Sequence, residues 1–285
     1  MMKEDLNLYL SPHYDDAILS CGGVIYAQRC ADERVGVLTL CTSLPEPAPQ
    51  FTLALKYLAA WSKSGDGVTN RRTENANVLS RWGVMNWECD APDAIFRTNG
   101  TTPYYQSRAD LFREPHIEDA TFLLPVWEER LKQLAKEEKK ILLYAPLGVG
   151  GHVDHELARR LGQRMGQSGW RVLFYEDYPY VELELSGVKA AQARFENYKW
   201  TSQTVSIDVQ AKIDALRSYH TQIGNVFGCD NDMVRRVKNF TADTACAVNS
   251  RERLRAALAP SGLRLRLWRL LFNYHAHAER IWSWS

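Results

Sequence analysis

The sequence lacks a charge excess: 35 lysines and arginines against 34 aspartates and glutamates leave a net charge of +1 over 285 residues. Nothing global therefore draws the chain to nucleic acid or to an anionic membrane. It also lacks any apolar run of the roughly 18 residues that a membrane span needs. The stretch MMKEDLNLYL carries acids where a signal peptide needs an apolar core, so secretion by that route is not expected. No CxxC pair occurs among the cysteines at 21, 30, 41, 89, 229 and 246. Reduced core thiols, not a disulfide framework, and a cytoplasmic location are the expectation. Repeats, low-complexity tracts and obvious linkers are missing too, and the simplest organisation is one domain over residues 1–285.

What is present is ordinary globular material, 45% hydrophobic and 24% charged. A chain of this length buries about 75% of its unfolded surface as one large domain. Leu6, Leu8 and Leu10 form a short run that stops at Pro12. A helical stretch through Cys21, Val24, Ile25 and Ala27 follows, and then VGVLTLC, which reads as a parallel strand covered on both faces. Strand, crossover helix and parallel strand are the unit of a doubly wound sheet.

KKILLYAPLG repeats the pattern of a buried strand, ending at Pro146 and Gly148. Leu157, Leu161 and Met165 then mark a helix face, and WRVLFYED a third parallel strand. Trp127, Leu131 and Leu134 predict a preceding helix that starts near Pro125. Asp208 is placed to cap a helix striped by Val209, Ile213 and Leu216. Residues 46–64 and 90–118 read as loops rich in aromatics and prolines, of the kind that shape a cleft. The tail, about 250–285, is rich in arginine and aromatics. Between 251 and 269, arginines at 251, 253, 255, 264, 266 and 269 oppose the single acid Glu252, LRLRLW alternates like a strand, and LLFNYHAHAERIW looks helical.

In open α/β sheets the ligand site lies at the carboxyl ends of the strands. Two histidine-bearing segments fall there independently: SPHYDDAILSCGG after the first strand and PLGVGGHVDHELARR after ILLYA. Imidazole and carboxylate together suit zinc or a similar divalent ion with one open position. His13 and Asp16, three apart, can reach one point from a turn entering a helix, and Asp15 must then point elsewhere. A carboxylate beside the ion but not ligating it is placed to take a proton from attacking water. His152 and His155 are also three apart at a helix start. Both can bind a metal, or one can bind while the other donates a hydrogen bond or proton to the reacting group. Asp154 can orient one of these rings. The alternative for each segment alone is plain capping of a helix by the aspartates and a surface pair of histidines. Their coincidence at two strand ends favours the metal.

These two segments resemble the signatures of the LmbE-like, or PIG-L, family of zinc-dependent de-N-acetylases, a His-Pro-Asp-Asp type motif and a His-x-Asp-His motif. RRTENANVLSRWG (71 to 83) and FYEDYPY (174 to 180) extend the resemblance, with weaker support from KIDALRSYHTQ and AERIW. The resemblance implies a Rossmann-like α/β fold with a mostly parallel sheet and helices on both faces. It implies His13, Asp16 and His155 as ligands of Zn2+, with Fe2+ as another suitable divalent ion, Asp15 as general base, and His152 as the acid or electrophilic group. Asp154 would hold His152 in place. Arg71, Tyr14 and Gly150 would face the substrate, a small N-acetylglucosamine-type conjugate.

Three positions depart from the pattern. Tyr14 stands where many members have proline, and Ala17 replaces a common glutamate. Gly150 stands where glycosyl-inositol deacetylases carry a tyrosine that helps the carbonyl oxygen, so that help must come from elsewhere, for instance from Tyr104, Tyr105 or Tyr178. Two rivals remain in view. A metal-dependent glycosyl or phosphoryl transferase would need a phosphate cradle, for which AILSCGG offers two glycines and no lysine. A non-catalytic sugar-binding relative would have no reason to keep a base beside three ligands. No nucleic-acid partner and no membrane span are expected, and a homo-oligomer is compatible with the sequence.

Overall fold

The computed structural model describes residues 5–61, 67–138, 140–183, 186–195, 198–246 and 276–285. The first half runs β1 (Leu6–Ser11), α1 (Asp16–Cys30), β2 (Arg34–Ser43), α2 (Thr52–Trp61), α3 (Gly67–Arg81) and β3 (Met85–Pro92). Then come α4 (Ile117–Glu137), β4 (Ile141–Pro146), α5 (Val153–Gln167), β5 (Arg171–Tyr175), α6 (Tyr180–Leu183) and α7 (Gly187–Ala193). The remainder is β6 (Trp200–Ser206), α8 (Val209–Leu216), α9 (His220–Phe227), α10 (Asp230–Cys246) and β7 (Ala278–Trp284).

The strands form one sheet in the order β3-β2-β1-β4-β5-β7-β6. β3, β2, β1, β4 and β5 are mutually parallel, and β7 runs antiparallel to both of its neighbours. Every residue of β1 is buried, because helices cover both faces of the central strands. Leu6, Leu8 and Leu10 are fully buried, and each contributes about 1.5–3 kcal/mol through removal from water. β1 pairs with β2 on one side and with β4 on the other. The connection reverses direction between β1 and β4, and there the loops leaving the two strand ends splay apart. Both histidine-bearing segments leave from this point. The mostly parallel α/β architecture is the one expected.

Several elements differ from the sequence reading. Residues 46–64 contain α2, whose buried face is Leu53, Ala54 and Trp61, so this stretch is not simply loop. α4 begins at Ile117, and Pro125 lies inside it. Pro125 is solvent-exposed, on the side of the helix where water can serve a carbonyl that loses its partner. The buried stripe Ala120, Leu123, Leu124, Trp127, Leu131 and Leu134 spans the proline and holds the helix together. AERIW is a strand: β7 inserts between β5 and β6, and its backbone groups are satisfied by pairing there. The arginines from 251 to 269 and the LRLRLW stretch lie outside the described residues. β3 and β6, which the sequence reading did not assign, flank the sheet.

Asp208 caps α8 as expected, accepting from the backbone N–H groups of Gln210 and Ala211, a contact worth about 1 kcal/mol. Lys212 of α8 and Glu279 of β7 form an ion pair, each at most 2% exposed. Glu279 also accepts from the backbone N–H groups of Gly23 and Val24. Thus one carboxylate ties α1, α8 and β7 behind the site. A Cβ at Gly23 would lie 2.6 Å from the Ile207 side chain, which explains the second glycine of SPHYDDAILSCGG. None of the six cysteines forms a disulfide. No helix of the described residues is long and apolar enough to cross a membrane.

Candidate metal centre and active site

β1 ends at Ser11, and the following turn delivers His13, Asp15 and Asp16 to the first turn of α1. Ser11 Oγ closes this turn, donating to the carbonyl of His13 and accepting from the N–H of Ala17. β4 ends at Pro146, and glycines with positive φ at 148, 150 and 151 lead into His152, the N-cap of α5. That conformation is open to glycine at no steric cost.

The two segments meet. His13 Nδ1 lies 3.0 Å from Asp16 Oδ2, and His155 Nε2 lies 3.3 Å from the same oxygen. Donors about 2.0–2.2 Å from a tetrahedral ion lie roughly 3.3–3.6 Å from one another; the 3.3 Å separation fits this spacing and the 3.0 Å one is slightly shorter. The outer nitrogens are occupied: His13 Nε2 lies 2.9 Å from Asp154 Oδ2 and 3.4 Å from Asp93 Oδ2, and His155 Nδ1 lies 2.7 Å from Asp177 Oδ1. A carboxylate holding the far N–H of an imidazole fixes the tautomer that presents a lone pair on the near nitrogen. The arrangement occurs here twice. His155 Nε2 is buried and has no hydrogen-bond partner, an orphaned donor atom that a metal ion satisfies.

The charges agree. Burial opposes the ionised form of Asp16, but His155 and His13 outweigh it and hold this carboxyl well below the usual range. Burial would lower His155, yet Asp16 and Asp177 push it up to about 10. His13 is likewise raised against its burial, chiefly by Asp93 with Asp154 and Asp16. These carboxylates favour a cation at this point, and a divalent ion replaces the protons that otherwise supply it. A second group, His13, His152 and Asp154, is also within metal-binding distance. It is the poorer choice, because Asp154 Oδ1 is paired with Arg97 at 2.6 Å and Oδ2 with His13 and the N–H of Ala94.

Asp15 occupies the N-cap of α1 but makes no capping hydrogen bond. Its Oδ1 accepts from Arg71 at 3.2 Å instead, and burial raises its pKa, with Arg71 opposing. The guanidinium of Arg71 lies over Trp61, 4.5 Å from the ring centroid. Arg71 therefore lines the cleft while gripping Asp15. His152 Nδ1 accepts the backbone N–H of Asp154 at 3.3 Å, which leaves the proton on Nε2. Burial lowers its pKa to about 3, so the ring is neutral and acts as a hydrogen-bond donor.

Three expectations change. The Asp154 carboxylate hydrogen-bonds His13 and not the His152 ring. Tyr14 is buried away from the cleft, its hydroxyl donating to the Thr42 carbonyl and accepting from Arg72. Gly150 does not line the cleft either: the Tyr180 ring covers it, and a Cβ there would lie 2.6 Å from Tyr180. The sought-after tyrosine is not 104, 105 or 178. Tyr105 donates to Asp119, Tyr104 to Glu118, and Tyr178 is packed under Phe240. Tyr180 faces the cleft beside His155, with ring centroids 5.4 Å apart.

Asp93, Arg97, Asp177 and Tyr180 went unassigned in the sequence. Only Asp177 had a local signal, as an acid at the end of the strand FYED that a metal-bound imidazole nearby would need.

The cleft of about 290 Å³ opens above these groups. No protein-family model matches the chain. It is 28% identical over 233 residues to 2'-N-acetylparomamine deacetylase of Niallia circulans, covering 78% of this chain and 82% of that one. The zinc-inhibited form of teicoplanin deacetylase Orf2 superposes with a TM-score of 0.75 at 19% identity, over 98% of each chain. The N,N'-diacetylchitobiose deacetylase of Pyrococcus horikoshii does so at 0.50 and 15% identity, over 85% of this chain and 79% of that one. With the two motif segments brought together at the sheet's switch point, the chain is similar in sequence to a deacetylase and shares the fold of solved deacetylases.

Proposed function

We propose that the protein is a metal-dependent hydrolase that removes the acetyl group from the amide nitrogen of an N-acetylglucosamine-type conjugate. The single observation that carries the reading is the doubled carboxylate–imidazole arrangement, in which Asp154 and Asp177 turn His13 Nδ1 and His155 Nε2 onto Asp16. His13, Asp16 and His155 would hold the ion, with zinc the first choice and ferrous iron compatible with the same donors. A divalent ion there supplies Lewis acidity and makes a water acidic enough to ionise near neutral pH.

The chain's own residues supply the rest. Asp15, next to the ligand Asp16 but turned toward Arg71, accepts the proton of the water as its oxygen bonds to the acetyl carbon. His152 is neutral, with its proton on Nε2, and donates a hydrogen bond to the carbonyl oxygen as that atom gains charge. Because His152 carries no extra proton, the proton taken up by Asp15 is the one returned to the nitrogen as the C–N bond breaks. Acetic acid and a free amine result, and the acid's remaining proton passes to the amine or to solvent.

The test is acetate release from N-acetylglucosamine glycosides by the purified protein before and after dialysis against a chelator. Loss of turnover on dialysis and its return with zinc or ferrous ion is expected. Full activity in the metal-free protein would remove the metal from the reaction, and no acetate from the loaded protein would remove the substrate class.

A further inference from the structure

The cleft is at the small end of the ~300–1,000 Å³ usual for small-molecule sites, enough for one sugar ring. Whatever is joined to that sugar must lie over the rim. This rim is not generic surface. Phe112 is 36% and Leu183 73% exposed, and both line the cleft. Phe112 packs edge-on against His152 and Tyr180, with centroids 5.3 and 5.9 Å apart, so the apolar surface is continuous with the reacting centre. Leu111, Pro179 and Val226 extend it. Exposed large apolar side chains gathered at the mouth of a site mark a binding surface.

The charges of the same cleft are of both signs. Among the described residues its carboxylates are Asp15, Asp16 and Asp93, and all three are engaged by His13, His155 or Arg71. The cations Arg108 and Arg236 also line it. Arg236 is paired with Glu182, whereas Arg108 forms no salt bridge with a described residue. Among the described residues, an ammonium group on the rim would thus meet Arg108, apolar carbon and the neutral amides of Gln222 and Asn225, and no uncommitted acid.

The geometry points to an aglycone that is apolar and carries no positive charge: the substrate is a hydrophobic N-acetylglucosaminyl conjugate, not a polycationic amino sugar. The inference rests on the deacetylase reading above and narrows it.

The test compares methyl and hexyl N-acetylglucosaminides with 2'-N-acetylparomamine, whose remaining amines are protonated at neutral pH. Acetate release gives kcat/KM, and calorimetry on the metal-loaded protein gives Kd. The hexyl glycoside is expected to exceed the methyl glycoside about tenfold or more in both, with 2'-N-acetylparomamine below either. Leu183→Ala and Phe112→Ala should bring the hexyl-to-methyl ratio toward one, and Arg108→Glu should improve 2'-N-acetylparomamine severalfold. A hexyl-to-methyl ratio near one, a ratio that neither variant moves, or a preference for 2'-N-acetylparomamine overturns the inference while leaving the deacetylase reading in place. If no acetate is released from any of the three compounds, the deacetylase reading fails, and the Kd ratio decides the inference by the same tenfold criterion.

Discussion

His155 Nδ1 lies 2.7 Å from Asp177 Oδ1, and both side chains are buried. Asp177 also accepts the N–H of Val149, which ties the end of β5 to the loop after β4. An imidazole held this way keeps its Nε2 lone pair toward Asp16 with no rotamer search. Asp177→Asn should therefore weaken metal binding about 10–100-fold while leaving all three ligands in place. A competition titration against a chromophoric chelator reads this directly, and unchanged affinity would show that the ring is oriented by packing alone.

The two neighbouring aspartates should separate cleanly. Asp15→Asn keeps the metal but lowers kcat by about 10²–10⁴, because its carboxylate meets Arg71 and not the ligand cluster. His13→Ala instead loses the metal. Metal content measured beside turnover on the two variants distinguishes the roles, and a fully active Asp15→Asn would take the base role away from this residue.

Gly150 is constrained twice, by a φ of +84° and by the Tyr180 ring against it. Gly150→Ala should cost about 1–3 kcal/mol of stability and displace Tyr180 from the cleft, with a fall in turnover. Adding Tyr180→Ala should recover part of the stability and none of the activity. Thermal melts and acetate release on the single and double variants check both halves.

The Lys212–Glu279 pair is far from the reaction but carries α1. Replacing one partner leaves the other charged and buried, so Glu279→Leu should destabilise the fold by about 3–5 kcal/mol, whereas Lys212→Met with Glu279→Leu should cost much less. Chemical denaturation of the two variants measures the difference, and equal losses would mean that packing, not charge, is at stake.

Much of the centre was legible because its residues are local in sequence. His13 with Asp16, and His152 with His155, are spaced so that a turn entering a helix presents them together, and each segment follows an apolar run that could only be a buried strand. Trp127, Leu131 and Leu134 gave α4 its face but not its start, since a proline on the exposed side of a helix removes one hydrogen bond that water replaces. AERIW read as helix because its alternation is interrupted: Glu279 is buried against Lys212, where a polar residue normally faces solvent.

The sequence by itself determined which histidines and aspartates stand at the two strand ends and the parallel α/β scaffold, because strand hydrophobicity and short-range spacing are properties of consecutive residues. Only the tertiary structure decided which nitrogen of each histidine faces Asp16, that Asp154 hydrogen-bonds His13, that Arg71 grips Asp15, and that Tyr180 fills the place beside Gly150. Those contacts join positions 22 to 141 residues apart. Their partners are chosen by how the sheet brings strand ends together, and no local pattern encodes that choice.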